Sequence, residues 1–219
     1  MRIFYNVDTQ KDFMNENGTL YVPGAETIKP VLAKLHKYAQ SKGIPIWGSR
    51  DRHFKYDLEL TRNGGPFPDH CMEGTAGMEN ISETVYSGIV IPNKVSEGTQ
   101  PRSGLFYIPS EREMSRIIES ARSGENLMFE KQHYDVFTNL TAELVFRESG
   151  VTEAILFGVA TEYCNLAAAK GMRNLGIDVY VVKEGIEGIT DEGAQKAVNE
   201  MHQRGVKFVS LEDVLGGRI

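Results

Sequence analysis

The sequence predicts a three-layer α/β/α domain around a central six-stranded, mostly parallel sheet. Three observations predict it. Short apolar runs of strand length alternate with longer segments whose apolar residues recur at helical spacing, and that alternation implies parallel strands joined by right-handed crossovers. Glycines stand where helical segments stop. The 219 residues, 41% hydrophobic and 25% charged, are enough for one sizeable core, so a single domain over 1–219 is expected.

The elements follow in order. Ile3 to Val7 is an apolar run ending at Asp8, as a central strand does. Ala25 to Ser41 carries Ile28, Val31, Leu32, Leu35 and Tyr38 at helical spacing and stops at Gly43. Ile44 to Gly48 is a second strand, with Arg50 and Asp51 just past its end. Asn63-Gly64-Gly65-Pro66-Phe67-Pro68 is loop. Val85 to Ile91 holds a third strand, and residues 93 to 109, rich in Gly, Pro and Ser, form a long connection that would serve as a lid or a subunit contact. Glu111 to Arg122 is a helix, Asn126 to Glu130 a fourth strand, Leu140 to Ser149 a helix and Ala154 to Val159 the fifth strand. Glu162 to Leu175 is a helix stopped by Gly176. Asp178 to Lys183 is the sixth strand, Asp191 to Arg204 a helix, and Val206 to Val209 is open to being a final short strand.

Bulk properties narrow the function. The net charge is −6 and no basic run offers a phosphate footprint, which argues against nucleic acid and anionic membrane as partners. No apolar run is long enough to span a bilayer, and the N-terminus reaches Asp8 too soon for a signal peptide. The two cysteines, Cys71 and Cys164, fit a reducing cytoplasmic location.

Asp8, Asp51, Lys131 and Cys164 all fall at or just beyond carboxyl ends of predicted strands, where parallel α/β sheets carry their sites. Taken singly, Asp8 reads as a strand-end cap, Lys131 as a surface charge and Cys164 as a core thiol; the set reads less easily that way. Cys164 opens a helix, whose N-terminal dipole and free N–H groups favour a thiolate. A thiol needs such help, or a base, to attack a carbonyl, and Asp8 would be the base with Lys131 holding it. Lys183 also follows a strand and is a rival amine. The turn from Val159 to Cys164 can aim backbone N–H groups at a developing oxyanion. Asp51-Arg52-His53 puts a carboxylate and an imidazole on one side of an extended segment, and His70 follows in a proline-bracketed loop; such donors suit zinc, manganese or iron. Cys71, beside His70, reads as a packed loop cysteine. His36 and His202 lie on helices, and His133 lies near Lys131. Phe13, Phe67 and Tyr134 are candidates for an aromatic wall around a flat ring, with core packing as the alternative.

Asp8-Thr9-Gln10-Lys11-Asp12-Phe13 matches the D-x-Q-x-D-F opening of the isochorismatase-like cysteine hydrolases, and Phe157-Gly158-Val159-Ala160-Thr161-Glu162-Tyr163-Cys164 closely resembles their nucleophile turn. The resemblance covers essentially the whole chain. It implies a catalytic triad of Asp8, Lys131 and Cys164, an oxyanion hole from the N–H groups of Ala160 and Cys164, and a cis peptide between Val159 and Ala160. The D-x-H triplet and the Phe67-Pro68-Asp69-His70-Cys71 segment resemble the nicotinamidase branch, which implies a divalent metal, zinc first, on Asp51, His53 and His70. This chain has Phe67 where that pattern has Trp, and Glu162 where Asp is commoner. The resemblance also implies Phe13 beside the substrate and, as activity, deamidation of nicotinamide to nicotinate and ammonia through a cysteine thioester. The alternatives are hydrolysis of another small amide (carbamoyl, ureido or pyrazinamide-like) and a non-catalytic scaffold of the same fold. A homo-oligomer is expected.

Overall fold

Six of the apolar runs become strands at or near their expected places, and the run ending at Val209 adds a seventh. The computed structural model describes residues 1–95 and 105–219. Its strands are β1 (Arg2–Val7), β2 (Ile46–Asp51), β3 (Ile89–Ile91), β4 (Leu127–Lys131), β5 (Glu153–Val159), β6 (Asp178–Glu187) and β7 (Lys207–Val209). They form one seven-stranded sheet in the order β3-β4-β2-β1-β5-β6-β7, and every pairing is parallel. The count is therefore seven rather than six. The extra strand is the short final run, a three-residue edge at Lys207–Val209 paired to Tyr180–Val182.

The helices are α1 (Lys11–Met14), α2 (Ala25–Lys42), α3 (Glu111–Arg122), α4 (Ala142–Glu148), α5 (Leu166–Asn174), α6 (Asp191–Gln203) and α7 (Leu211–Leu215). β1 is apolar on both sides because both sides are covered. Ile3, Tyr5 and Val7 pack with Ala121, Phe146, Met172 and Met201 from α3 to α6, whereas Phe4 packs with Leu32 and Leu35 of α2 and Val214 of α7. Three layers result, as the alternation of elements implies.

The boundaries that moved have local causes. β2 begins at Ile46, after Pro45, which has no N–H to give a ladder, and runs on to Asp51, so Asp51 ends the strand instead of following it. Of Val85 to Ile91 only Ile89–Ile91 is strand. The helix expected from Glu162 starts as a π-helical turn, Thr161–Asn165, before α5. No helix among the described residues is long and apolar enough to cross a membrane. Residues 96–104 of the expected long connection lie outside the described residues; the flanking ends pair with each other, Val95 N–H to Leu105 O at 2.9 Å and Tyr107 N–H to Asn93 O at 2.8 Å.

Chain order reverses between β1 and β5: successive strands go one way from β1 and the other way from β5. In a parallel sheet the crevice opens at that place, beyond the carboxyl ends. Asp8 follows β1 there, and Cys164 lies in the turn after β5.

Candidate active site

At the end of β1 the backbone of Asp8 turns to φ 45°, a left-handed conformation that an Asp tolerates, and the chain leaves the sheet. The Asp8 carboxylate is fully buried; Ser49 Oγ donates to its Oδ1 at 2.8 Å. Lys131, the last residue of β4, reaches across the end of β2. Its Nζ lies 2.9 Å from Asp8 Oδ2 and 3.7 Å from Cys164 Sγ, and it also bonds Asp51 Oδ1. The Asp8 carboxylate meets the Cys164 thiol as well. One ammonium, one thiol and two carboxylates thus share a buried pocket at the carboxyl edge of the sheet. Lys183, the rival amine, is exposed on β6.

Burial decides the charges. It pushes the Cys164 thiol well above its ordinary value; Lys131 opposes this, and Asp8 and Asp51 reinforce it. The resting group is a thiol, against the expectation that a helix N-terminus eases its proton away: the dipole of one turn does not offset full burial beside two carboxylates. Burial also raises Asp8, again against the pull of Lys131, which makes it a better proton acceptor than an exposed Asp. Lys131 would lose charge by burial, but Asp51 and Asp8 outweigh that and keep it cationic.

The backbone of the nucleophile turn is shaped by Gly158 and by the peptide after Val159. Gly158 has φ 121°, and a Cβ there would come 2.0 Å from Val7 O, so only glycine lets β5 approach β1 this closely. The Val159–Ala160 peptide is cis. Ala160 O accepts from the N–H groups of Tyr163 (3.2 Å) and Asn165 (3.1 Å), on either side of Cys164 in the chain, and Asn165 Nδ2 donates to Gly158 O at 2.8 Å. Glu162 points away from the pocket and accepts from the N–H groups of Ile189 and Thr190, tying the turn to the segment that leads into α6.

Beside the thiol, Asp51, His53, Glu59 and His70 are all buried, with one ligand atom of each within 4.8 Å of the others. The other polar atom of each is held. Asp51 Oδ1 is bonded by Lys131, His53 Nδ1 lies 3.3 Å from Asp57 Oδ2, Tyr134 N–H donates to Glu59 Oε1 at 2.9 Å, and His70 Nδ1 lies 2.7 Å from Pro68 O. That leaves Asp51 Oδ2, His53 Nε2, Glu59 Oε2 and His70 Nε2 facing one another, with His53 Nε2 lacking a hydrogen-bond partner among the described residues. Fixing one atom of a ligand by an outer partner so that the other is presented is how protein metal sites are built. The carboxylates of Asp51, Asp57 and Glu59 overcome the burial of His53 and push it up to about 11, a surplus of negative charge that a cation neutralises. The cluster fits a divalent metal.

Glu59 is a member that sequence reasoning missed. It lies in a run of turns, with Asp57 N–H donating to Phe54 O at 3.0 Å and Leu60 N–H to Asp57 O at 3.2 Å, where no strand or helix period marks it. Cys71 is outside the cluster; its buried thiol lies 3.9 Å from Gly77 O, and burial pushes it well above its ordinary value.

Phe13, Phe67 and Tyr134 line one small cavity, of about 30 Å³, together with Leu20, Val22, Tyr163 and Ile189; Cys164, Asp51, Glu59 and His70 also face it. Tyr163 sits in the nucleophile motif, and its ring meets Phe67 edge-on at 5.3 Å. The cavity is tighter than an open small-ligand site, so a ring enters only as these side chains part. His133 lies against Tyr134 outside this cavity, the rings tilted by 38°, and His36 and His202 pack elsewhere, against Phe157 and Phe208.

A parallel α/β sheet thus carries a thiol, an ammonium and a carboxylate at its switch point, next to a cluster of metal-type donors. The isochorismatase domain profile matches residues 3–213, and the chain belongs to the isochorismatase family of hydrolases. Nicotinamidase of Escherichia coli (strain K12) is 27% identical over 220 residues, covering 94% of this chain and 93% of that protein. A pyrazinamidase of Pyrococcus horikoshii, solved in complex with zinc, superimposes with a TM-score of 0.72 at 26% identity over 95% of this chain and 98% of its own. The N-carbamoylsarcosine amidase of Thermoplasma acidophilum shares the fold, with a TM-score of 0.67 at 18% identity, over 97% of each chain.

Proposed function

We propose that the chain hydrolyses the carboxamide of a small aromatic amide, nicotinamide first, to the carboxylate and ammonia through a thioester on Cys164. The observation that carries this is the contact chain Asp8–Lys131–Cys164, 2.9 and 3.7 Å, next to a cavity walled by aromatic rings. Asp8 is the base. Its Oδ2 has no hydrogen-bond donor among the described residues, only the ion-pair contact with Lys131, and it takes the thiol proton. The sulfur adds to the carboxamide carbon. Backbone N–H groups of Ala160 and Cys164 receive the oxyanion; each such donor is worth about 3 kcal/mol in the transition state. Asp8 returns its proton to the departing ammonia, then takes one from the water that cleaves the thioester, releasing the carboxylate and the thiol. Lys131 holds Asp8 in place and balances its charge through both steps.

Asp51, His53, Glu59 and His70 would hold a divalent metal, zinc before manganese or iron. When bound it supplies a Lewis-acid contact for a ring nitrogen. Phe13, Phe67 and Tyr134 would flank the ring and exclude water from the thioester.

A cytoplasmic location and a homo-oligomeric assembly belong to the same proposal. Two free buried thiols support the first, and exposed Tyr56, Leu58, Phe106 and Leu140 support the second.

Ammonia release from nicotinamide, pyrazinamide and N-carbamoylsarcosine tests the reading. Turnover of the two ring amides, abolished by Cys164→Ala without a change in Tm, is expected. Preference for the carbamoyl compound would move the assignment to that class, and no release from any of them would leave a scaffold.

A further inference from the structure

Gln10 lies two residues beyond Asp8, in the D-x-Q-x-D-F segment, and takes no part in the chemistry above. Its side chain is fully buried. The reason lies in how β1 ends. β1 gives its last ladder bond to β2 where Asp8 N–H meets Ser49 O at 3.1 Å, and then turns away at φ 45°. Two residues further along β2, the peptide groups of Asp51 face a place where β1 no longer runs. Buried N–H and C=O groups without partners are costly, so something must pair them.

The Gln10 amide does so at two points. Asp51 N–H donates to Gln10 Oε1 at 2.6 Å, and Gln10 Nε2 donates to Asp51 O at 2.7 Å. Nε2 also donates to Met78 O at 2.9 Å, anchoring the amide from behind. A primary amide carries the donor and acceptor of a peptide in one plane, so this side chain stands in for one residue of the missing strand. On the opposite side Asp51 is in register with Lys131, where Arg52 N–H donates to Lys131 O at 2.9 Å. Asp51 is thereby clamped from both sides, at the residue that gives one oxygen to Lys131 and turns the other toward His53 and His70.

We propose that Gln10 is a positioning residue for the metal cluster: it fixes the Asp51 peptide and so holds the cluster and the Asp8–Lys131–Cys164 set in one geometry. This rests on the metal reading of Asp51, His53, Glu59 and His70. Gln10→Met keeps the length and the burial but removes both amide functions. Outer partners of ligands typically account for about 10–100-fold in metal affinity, and a loss of that size is expected.

The measurement is zinc affinity by competition with a chromophoric chelator, together with the visible spectrum of the cobalt-loaded protein, for wild type, Gln10→Met and Asn126→Ala. Asn126 clamps the other end of β2, accepting from Ile46 N–H at 2.7 Å and donating to Ser87 O at 2.9 Å. Its loss should lower Tm and leave zinc affinity unchanged. Gln10→Met should weaken zinc and shift the cobalt bands. Should it fail to fold, Gln10→Glu, which keeps an acceptor for Asp51 N–H but loses the donor and adds a buried charge, carries the same expectation. Wild-type zinc affinity and cobalt spectrum in a folded Gln10 variant overturn the proposal and leave the metal reading standing. A wild type that binds no zinc removes both.

Discussion

Lys131 Nζ stands 2.9 Å from Asp8 Oδ2, and both side chains are entirely buried. Lys131 also bonds Asp51, so one cation serves two carboxylates that nothing else neutralises as directly. Replacing it by Met would leave two buried like charges face to face. Removing one partner of such a pair typically costs about 3–5 kcal/mol. For a chain of this size that is a fall in Tm of roughly 6–20 °C. Lys131→Met is expected to show it, with no turnover, and Lys131→Met combined with Asp51→Asn should recover part of the stability but none of the activity. Calorimetry of the single and double variants checks this; a single variant as stable as wild type would mean that the pocket already holds its carboxylates protonated.

The same pocket decides how the thiol behaves. Burial, reinforced by Asp8 and Asp51, raises Cys164 well above its ordinary value despite Lys131. Thiolate therefore accumulates only at alkaline pH. Iodoacetamide labelling of Cys164, followed by mass spectrometry in the Cys71→Ala background, should be slow at pH 7 and still rising at pH 9. A rate already level by pH 7 would show a thiolate formed at rest and would remove the need for Asp8 as base. Slow labelling at neutral pH is thus what this buried thiol is expected to show whether or not it is a nucleophile.

The metal cluster makes a second-sphere prediction. Asp57 lies 3.3 Å from His53 Nδ1 and also accepts from Phe54 N–H at 2.8 Å and from Lys94. It fixes which ring nitrogen His53 presents. Asp57→Asn, with one oxygen and one amide nitrogen, can no longer satisfy all three donors. A loss of about 10–100-fold in zinc affinity is expected, with Asp51, Glu59 and His70 still in place. Isothermal titration with zinc measures it, and an unchanged affinity would show that His53 needs no such partner.

What the sequence reveals of this site follows from how far each property depends on neighbours in space. Asp8, Asp51 and Lys131 were legible because apolar runs end at them and a parallel sheet gathers such ends on one edge. Phe13, Phe67 and Tyr134 were legible as aromatic residues near those ends. Glu59 was not, because its burial comes from a loop that closes through Leu60 and Phe67, a pairing no local period announces. The role of Gln10 was hidden for the same reason: a side chain that replaces a strand residue is visible only once β1 is seen to leave. The direction of the Cys164 shift was misjudged because the helix dipole is a local signal, whereas burial and two carboxylates arrive from four different segments. The π-helical turn at Thr161–Asn165 likewise differs from an α-helical start by one residue of hydrogen-bond spacing, which residue types do not encode.

A last prediction concerns stability away from the site. His36 on α2 is buried between Tyr86 and Phe157, ring centroids 5.8 and 5.6 Å away, and neither ring nitrogen has a hydrogen-bond partner among the described residues. Burial lowers it from 6.5 to about 4. The unfolded chain therefore binds a proton at His36 over a range in which the folded chain does not. Stability from this residue is complete above pH 6.5 and is lost as pH falls toward 4. The loss amounts to about 2 kcal/mol by pH 5 and about 3 kcal/mol by pH 4, from the linkage relation applied to that difference. His36→Phe keeps the aromatic packing and removes both unpartnered nitrogens, so it should match or exceed wild-type stability at pH 7. Urea unfolding of both proteins from pH 7 to pH 5 should show the variant gaining on wild type by about 2 kcal/mol across that interval. Parallel curves would mean that the folded protein protonates His36 as readily as the unfolded one does, with a partner that the burial of both nitrogens denies it.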